Sequence, residues 1–397
     1  MMDSLPLFQK PNAFRIIFFQ ASDRRIRTLD VLYTILCAVV VLGVLVFIHE
    51  GGHFLAARAF GVRVTEFMLG LPGPSVGFVR NGTRFGVTAI PLGGYAKVCG
   101  METGPMSPHL ECALSSVHER GTALAEDVAR DCGITVDQAI EALDELVEWG
   151  SVVAPKRADE YNVYRTPRLV PSKKDLKAAR RLCMPEPKAL PEGSRRKVAD
   201  PHALFESELS QQYRSLPFWK RSVILLAGIA VNLLFAIVAF VLIYSVIGID
   251  YVDPSTGEAA HIAVDPWRSL QLGFGYIGMT FQGIMGLFNP ETAAETVSNS
   301  TSIVGIAVMS TEFFAAGVAD ALFFMAVISI SLGLMNLLPI PPLDGGRFVV
   351  EVIQKVTRRD VPMKVMGFVS MAGMALFLCF FVFMLNQDIQ RFVLGNW

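Results

Sequence analysis

The sequence predicts an α-helical polytopic membrane protein with about four transmembrane helices, a small membrane-associated β-sheet and a winged-helix-like soluble insertion. Of its 397 residues, 52% are hydrophobic and 18% are charged, which is typical of a membrane protein that also carries a sizeable polar segment. Several apolar runs are long enough to cross a bilayer, and most charged residues lie between them. The net charge of −1 excludes no class of partner, because acidic and basic residues occupy different segments.

Four apolar runs define the predicted transmembrane helices. They cover about 31–48, 223–249, 321–338 and 365–385. With their flanking residues they form the segments 29–61, 214–249, 321–347 and 348–397. Six cysteines are scattered over the chain without a Cys-x-x-Cys pair, so the sequence predicts neither a disulfide framework nor a cysteine zinc site.

Basic residues set the predicted orientation. The loop between the third and fourth runs carries Arg347, Lys355, Arg358, Arg359 and Lys364. The segment before the second run carries Arg214, Lys220 and Arg221. Cytoplasmic loops are enriched in Lys and Arg, so both segments are predicted to be cytoplasmic. Residues 250–320 then lie outside, with an interfacial helix or a fifth span near 268–288.

Residues 1–28 form a basic tail that conflicts with this orientation. Their charges favour a cytoplasmic start, whereas a first helix that brings His49 to the cytoplasmic side must start outside. Two explanations remain open. Translation starts near Leu29 or Val31, or the tail lies on a membrane surface as a basic, Phe-rich segment. A mature fragment that begins before Arg15 would contradict the first explanation.

Residues 62–100 alternate in a strand-like way and contain turn signals. Asn81-Gly82 between apolar-alternating runs predicts a β-hairpin. A small sheet beside the first helix could present an edge to an extended peptide, or it could simply pack on the membrane surface. The sequence does not choose between these alternatives.

Residues 101–170 form a separate soluble module. Helical periodicity occurs in three segments: 109–119, 122–131 and 135–149. Thr135 is placed to cap the third helix and Gly150 to end it. Two strand-like pieces follow, at 151–154 and 161–164. Three helices and a β-wing form a winged-helix pattern, which most often binds DNA through its third helix.

The charges of this module argue against nucleic acid. Residues 106–160 contain 12 acidic and four basic side chains, and the third helix has five acids and no Lys or Arg. Phosphate would be repelled, so we expect a protein partner or a dimer contact instead. The following linker, 171–213, is basic and Pro-rich; it either contacts anionic lipid headgroups or acts as a solvated tether.

The sequence His49-Glu50-Gly51-Gly52-His53 directly follows the first apolar run. Histidines at i and i+4 share one face of a helix, so both imidazoles can bind one Zn²⁺. Glu50 is then placed to deprotonate an attacking water. Ionisable residues at membrane depth are costly, which favours a functional site over a chance match. A structural zinc site would need four protein ligands, often including cysteine.

Asp344 is the best candidate for a third ligand. It lies in Leu343-Asp344-Gly345-Gly346, which follows the third run on the same predicted side as His49. The prolines before it break the helix, and the two glycines allow a turn that aims the carboxylate inward. The alternative is that Asp344 only caps the next helix.

Four motifs together resemble the site-2 protease family of intramembrane zinc metalloproteases, whose bacterial members include the regulator-of-sigma-E proteases. They read VFIHEGGHFLAARAFGVRVTEF, IPLGGYAK, AGIAVNLLFA and SLGLMNLLPIPPLDGGR, and the similarity covers about 29–100 and 214–390. The resemblance implies a multi-pass protein of the inner membrane with its active site near the cytoplasmic side. It also implies one zinc ion held by His49, His53 and Asp344, with Glu50 as the base.

The resemblance further implies substrates that are transmembrane segments, such as those of anti-sigma factors or signal-peptide remnants. It implies contacts to substrate from Asn336, Asn232, Gly93 and Gly94. The sequence departs from the family where Ile229 replaces the usual proline after Gly228. Residues 250–320 also leave no room for the PDZ domains of bacterial relatives. The competing hypothesis is a non-catalytic membrane scaffold or tethered regulator that acts through residues 106–168.

Overall fold

A computed structural model of the chain describes most residues after the basic tail. The described ranges are 28–90, 93–101, 104–156, 159, 162–169, 181, 189–252, 259–341, 343–359 and 361–394. The tail predicted at 1–28 therefore lies outside the described residues, apart from Thr28. The same holds for most of the first half of the predicted linker.

Helix α1, Thr28–Ala59, carries the HEGGH sequence without interruption. It is 32 residues long, so it continues well past the apolar run that predicts it. Gly61, with φ of 83°, turns the chain away after the helix ends. The two histidines therefore lie on a rigid helix rather than on a loop, which fixes their relative position.

Four strands follow as the predicted small sheet. They are β1 Val64–Leu69, β2 Ser75–Arg80, β3 Thr83–Thr88 and β4 Gly94–Val98, in the order β2-β3-β1-β4. β1 and β3 run parallel, and the other pairs are antiparallel. Asn81 and Gly82 have φ of 50° and 81°, which suits the tight hairpin predicted at this dipeptide. The sheet leaves β2 and β4 at its edges.

The insertion contains the three predicted helices around its own core. They are α2 Leu110–Arg120, α3 Ala125–Cys132 and α4 Val136–Glu148. Thr135 caps α4 as predicted, in a reciprocal capping box with Gln138. β5, Thr122–Leu124, pairs antiparallel with β6, Val163–Arg165. A buried face of α4 packs on this core: Ala139, Ala142, Leu143 and Leu146.

The insertion differs from the predictions in two features. Cys112 of α2 and Cys132 of α3 form a single disulfide, which the scattered cysteines did not predict. The two cysteines are 20 residues apart and belong to no sequence motif; the packing of α2 against α3 brings them together. The wing is also shorter than predicted: Val153 makes only an isolated bridge to Arg165, and β5, which was not predicted, supplies the partner strand.

The second half of the predicted linker is structured. Helix α5, Pro201–Leu209, packs Leu204, Phe205 and Leu209 against the insertion core. A short 3₁₀ turn, Tyr213–Ser215, leads into α6, Phe218–Val241, which continues as a π-helical turn over Leu242–Ile247. The prediction of a linker over 171–213 is therefore corrected for 201–209, whose apolar residues complete a core instead of meeting solvent.

Ion pairs fix the insertion to the chain segments that follow α1 and precede α6. The Arg63 guanidinium donates to Glu208 at 2.8 Å, to the Trp149 carbonyl at 3.3 Å and to Ser151 Oγ at 3.3 Å. A second pair joins Arg214 to Glu145 at 2.7 Å. Since Arg63 lies between α1 and β1, the insertion is attached to the segment that joins the zinc-motif helix to the sheet.

The segment predicted to be external holds a hairpin and helices. β7 Ile249–Val252 pairs with β8 Ala259–Ile262. Then come α7 Pro266–Gly286, α8 Ala293–Asn299 and α9 Ile303–Ala316. α7 is a helix where one was predicted near 268–288, and it is not among the candidate membrane spans. The described residues between 249 and 317 contain no PDZ domain.

The remaining helices are α10 Val318–Asn336, α11 Asp344–Thr357 and α12 Met363–Asp388. Four helices are long and apolar enough to cross a membrane: α1, α6 with its π turn, α10 and α12. α1 and α10 both pack on α6, which places α6 at the centre of the bundle. Asp388 ties α12 to α9, because its Oδ2 accepts the N–H groups of Ser302 and Gly305 at 2.6 and 3.0 Å.

Candidate metal centre and active site

His49 and His53 meet on one face of α1. Their Nε2 atoms are 3.4 Å apart, and both side chains are buried, with 6% and 9% of their surface exposed. Two imidazole nitrogens at this distance can bind one cation between them. The i, i+4 spacing thus produces the arrangement that the sequence predicts.

Asp344 completes the cluster from 291 residues further along the chain. Its Oδ2 lies 3.1 Å from His49 Nε2 and 3.1 Å from His53 Nε2. In a tetrahedral zinc site with bonds of about 2.0–2.1 Å, neighbouring ligand atoms stand about 3.3 Å apart. The three edges of the cluster, 3.1, 3.1 and 3.4 Å, fit this value. Three ligands leave the fourth position open, as catalytic zinc requires.

Two glycines allow Asp344 to reach the histidines. A Cβ at Gly345 would lie 2.2 Å from the Leu337 carbonyl oxygen, and one at Gly346 would lie 2.3 Å from the Pro341 nitrogen. Both distances are shorter than any real contact, so only glycine lets α11 begin against the end of α10. The turn predicted from Gly345-Gly346 therefore has a steric cause.

Helix α6 orients both imidazoles. His53 Nδ1 donates to the Ile224 carbonyl at 2.7 Å, which leaves Nε2 without a proton and free to bind metal. The Asn232 amide lies 3.2 Å from His49 Nδ1. The atom at this distance is Nδ2, and Oδ1 has no partner among the described residues. Because a metal-binding Nε2 requires the proton on Nδ1, the amide turned by 180° would let Oδ1 accept that proton.

Gly228 brings α6 directly against the cluster. A Cβ there would lie 2.3 Å from His53 Nε2 and 2.8 Å from His49 Cε1. No side chain fits between α6 and the imidazoles. The family's usual proline after Gly228 is replaced by Ile229, but Gly228, the small residue that this packing requires, is present. Ile229 itself is buried.

Glu50 is held by the edge of the sheet. Its Oε2 accepts the backbone N–H of Ala96, on β4, at 2.9 Å. β4 can lie this close because a Cβ at Gly94 would already be 2.6 Å from Val46 Cγ1 and 3.4 Å from Glu50 Cγ. The carboxylate next to the first histidine is thus fixed in orientation, which suits a general base.

The residues predicted to bind substrate lie in different surroundings. Asn232 is fully buried behind His49, so it contacts a metal-binding residue rather than a surface that substrate could reach. Asn336 is half-buried at the end of α10, where its Nδ2 donates to the Leu332 carbonyl at 3.0 Å. Gly94 packs on α1, while Gly93 is exposed with φ of 80°. A contact with substrate remains a prediction for Asn336 and Gly93.

Three contributors to the site were not predicted from the residues themselves. They are the Ile224 carbonyl, the Ala96 N–H and the bare surface of Gly228. Backbone groups carry no signal in residue type, so only the fold reveals the first two. Gly228 has a weak signal, because a glycine inside a long apolar helix often marks a close approach.

The fold and the site define a membrane zinc metalloprotease: a chain with four apolar helices long enough to cross a membrane holds a His, His, Asp cluster with an adjacent glutamate. Comparison with known proteins agrees. The family model of peptidase family M50, the site-2 protease family, matches residues 37–380, and the chain belongs to this family.

Similar proteins carry zinc metalloprotease names. Zinc metalloprotease RasP of Geobacillus kaustophilus is 25% identical, over 92% of this chain and 100% of the relative. A relative from Campylobacter jejuni is 26% identical over 90% of this chain and 94% of its own length. One from Rhizobium meliloti is 27% identical over 90% and 96%. The enzyme class and the zinc cofactor predicted from the sequence are thus confirmed.

Proposed function

We propose that this enzyme hydrolyses peptide bonds within or near transmembrane segments, as a step of regulated intramembrane proteolysis. Anti-sigma factors and signal-peptide remnants are the substrate classes we expect. The observation that carries the proposal is the position of the metal cluster: His49 and His53 belong to a helix that is itself a candidate membrane span. A soluble peptide would not reach a site at this depth in the membrane.

A helical substrate hides its peptide bonds in its own hydrogen bonds, so it must unwind locally before cleavage. An exposed sheet edge supports this, because an extended chain can replace its lost bonds by pairing with a strand. The sheet presents β2 and β4 at its edges, and β4 contacts Glu50. An unwound substrate paired at this sheet would lie beside the base.

The chemistry divides between the metal and Glu50. When bound by His49, His53 and Asp344, zinc supplies Lewis acidity that polarises a carbonyl and acidifies a water. Glu50 takes the proton from the attacking water at its carboxylate and later delivers it to the leaving amine. The Ala96 N–H fixes one carboxylate oxygen, so the other remains for this transfer.

Replacing Glu50 by Gln tests the proposal. We expect membrane-protein fragments and uncleaved substrates to accumulate in cells carrying Glu50→Gln, while the purified variant keeps its zinc. Glu66→Gln is the matched control, because Glu66 lies on β1 and accepts a hydrogen bond from Tyr95, which glutamine can also accept. Unchanged fragment levels in Glu50→Gln would contradict catalysis and favour the scaffold hypothesis.

We also infer a multi-pass protein of the inner membrane with the metal centre near the cytoplasmic face. Basic residues support this side: Arg347, Lys355, Arg358 and Arg359 lie on or directly after α11. Arg63 pairs with Glu208 and so joins the insertion, with its disulfide Cys112–Cys132, to the end of α1 that carries His53. Because disulfides are typical of oxidising compartments, the side that the insertion and the metal centre share needs a direct test. Protease protection of a tag inserted in the α3–α4 turn, in sealed spheroplasts, decides the side; digestion from outside would contradict it.

We propose that the insertion is winged-helix-like and binds a protein partner through α4. Its three helices and the β5–β6 pair support the first part. For the second, Asp137 and Glu141 are exposed on α4, opposite its buried face. Cross-linking in cells should yield an adduct that Asp137→Asn/Glu141→Gln loses and Glu119→Gln, on α2, retains. An adduct to nucleic acid would contradict the proposal.

A further inference from the structure

A cleft lies between the last turn of α1 and the β2–β3 hairpin. Its lining combines aromatic and cationic side chains: Phe54, Arg58, Arg80, Asn81, Thr83 and Phe85. Phe54 and Phe85 meet edge to face at 5.5 Å, and Phe78 stacks on Phe85 at 5.7 Å. The cleft therefore has a continuous aromatic wall that leads outward along β2.

Two arginines in the lining have no acidic partner in the described part of the chain. Arg58 and Arg80 are exposed, and neither makes an ion pair or side-chain hydrogen bond with a described residue. The neighbouring Arg84 differs, because its guanidinium donates to Ser75 Oγ at 3.0 Å. Two unpaired guanidinium groups in one cleft make a site for a phosphate or carboxylate.

The cleft lies at the level of the membrane surface. Two residues after Arg58, about 3 Å along the helix axis, Phe60 meets Trp219 edge to face at 5.5 Å. Lys220 Nζ lies 5.6 Å from both rings. Trp and Lys at the ends of apolar helices mark the headgroup region of a bilayer. Arg58 therefore stands at headgroup depth.

Apolar side chains of strand β2 lie beside the two arginines of the cleft. Val76 and Phe78 share one face of the strand with Arg80, because side chains alternate along β-strands. They are 85% and 63% exposed, and Val79 on the other face is 72% exposed. In water such an edge would promote aggregation. In a bilayer the same strip suits acyl chains.

We propose that this cleft binds one anionic phospholipid, with its phosphate between Arg58 and Arg80 and its acyl chains along Val76 and Phe78. A free phosphate or a soluble carboxylate would contact only the two guanidinium groups. A lipid would also contact the apolar strip beside them, so the cleft favours a lipid. The bound lipid bridges the end of α1 and the hairpin. It thereby holds the sheet whose far strand, β4, contacts Glu50.

Native mass spectrometry of the full-length protein in detergent tests this proposal. The titrants are phosphatidylglycerol, phosphatidylcholine with the same acyl chains, and inorganic phosphate. We expect one tight phosphatidylglycerol in the wild type and at least tenfold weaker binding in Arg58→Gln/Arg80→Gln. Phosphatidylcholine should bind at least tenfold more weakly than phosphatidylglycerol, and inorganic phosphate should not displace the lipid.

Arg84→Gln is the matched control, since it removes one positive charge from the same hairpin outside the cleft. It should bind phosphatidylglycerol as the wild type does. Equal loss in Arg84→Gln would show non-specific charge attraction and overturn the proposal. So would unchanged binding in the double variant, displacement by inorganic phosphate, or equal affinity for phosphatidylcholine. Zinc content and the thermal unfolding midpoint, measured on each variant, separate loss of the lipid site from misfolding.

Discussion

Substituting Gly228 by alanine should disable the metal centre without touching a ligand. The added Cβ would lie 2.3 Å from His53 Nε2, while ordinary contacts begin near 3.4 Å. Either the imidazole or helix α6 must therefore move by about 1 Å, several times the roughly 0.2 Å by which metal–ligand distances vary. If α6 moves instead, His53 and His49 lose the Ile224 and Asn232 contacts that orient them.

Both routes predict weaker zinc binding. Loss of an orienting partner alone costs about 10–100-fold in metal affinity, and we expect Gly228→Ala at the upper end of this range. The assay is zinc bound per chain at buffered free-zinc concentrations, with helix content measured by circular dichroism. Gly43→Ala, on the zinc-motif helix α1, is the control for a glycine-to-alanine change inside a membrane helix, because a Cβ there meets nothing within 4 Å. Wild-type zinc affinity in Gly228→Ala would refute the steric reasoning.

Two further predictions concern the insertion. Arg63→Met leaves the half-buried Glu208 carboxylate without its cation, so the free energy of unfolding of the insertion should fall by about 2 kcal/mol, between the values typical of exposed and of buried pairs. Arg63→Met/Glu208→Met should cost less than the sum of the single changes, and denaturant unfolding measures both. Burial, together with Arg196, lowers the pKa of His118 to about 4, so the folded state binds fewer protons than the unfolded state below pH 6.5. Stability should therefore fall from pH 7 to pH 5 by about 2 kcal/mol and be flatter in His118→Gln; a pH-independent melting midpoint in the wild type would contradict this.

Local sequence patterns predicted the elements that carry the chemistry. Long apolar runs fix the membrane helices because bilayer thickness sets their length. The i, i+4 spacing of His49 and His53 gives a shared helix face, and Gly345-Gly346 permits the turn that presents Asp344. In each case the signal lies within a few residues of the feature.

The remaining features depend on distant parts of the chain. Arg63 meets Glu208 across 145 residues, and nothing near either residue indicates the pair. The Cys112–Cys132 bond follows from the packing of α2 against α3. Asn232 was assigned to substrate by resemblance, while the packing of α6 against α1 places it behind His49. Tertiary contacts of this kind leave no periodic or motif signal in the sequence.

Asp344 joins His49 and His53 in one cluster, which we expect to hold one catalytic zinc beside Glu50. Zinc per chain, measured by mass spectrometry of purified wild type, Asp344→Ala and Glu50→Gln, tests this expectation most directly. We expect about one zinc in the wild type and in Glu50→Gln, and at least tenfold less in Asp344→Ala, because two histidines alone hold zinc weakly. Full zinc occupancy in Asp344→Ala would contradict it.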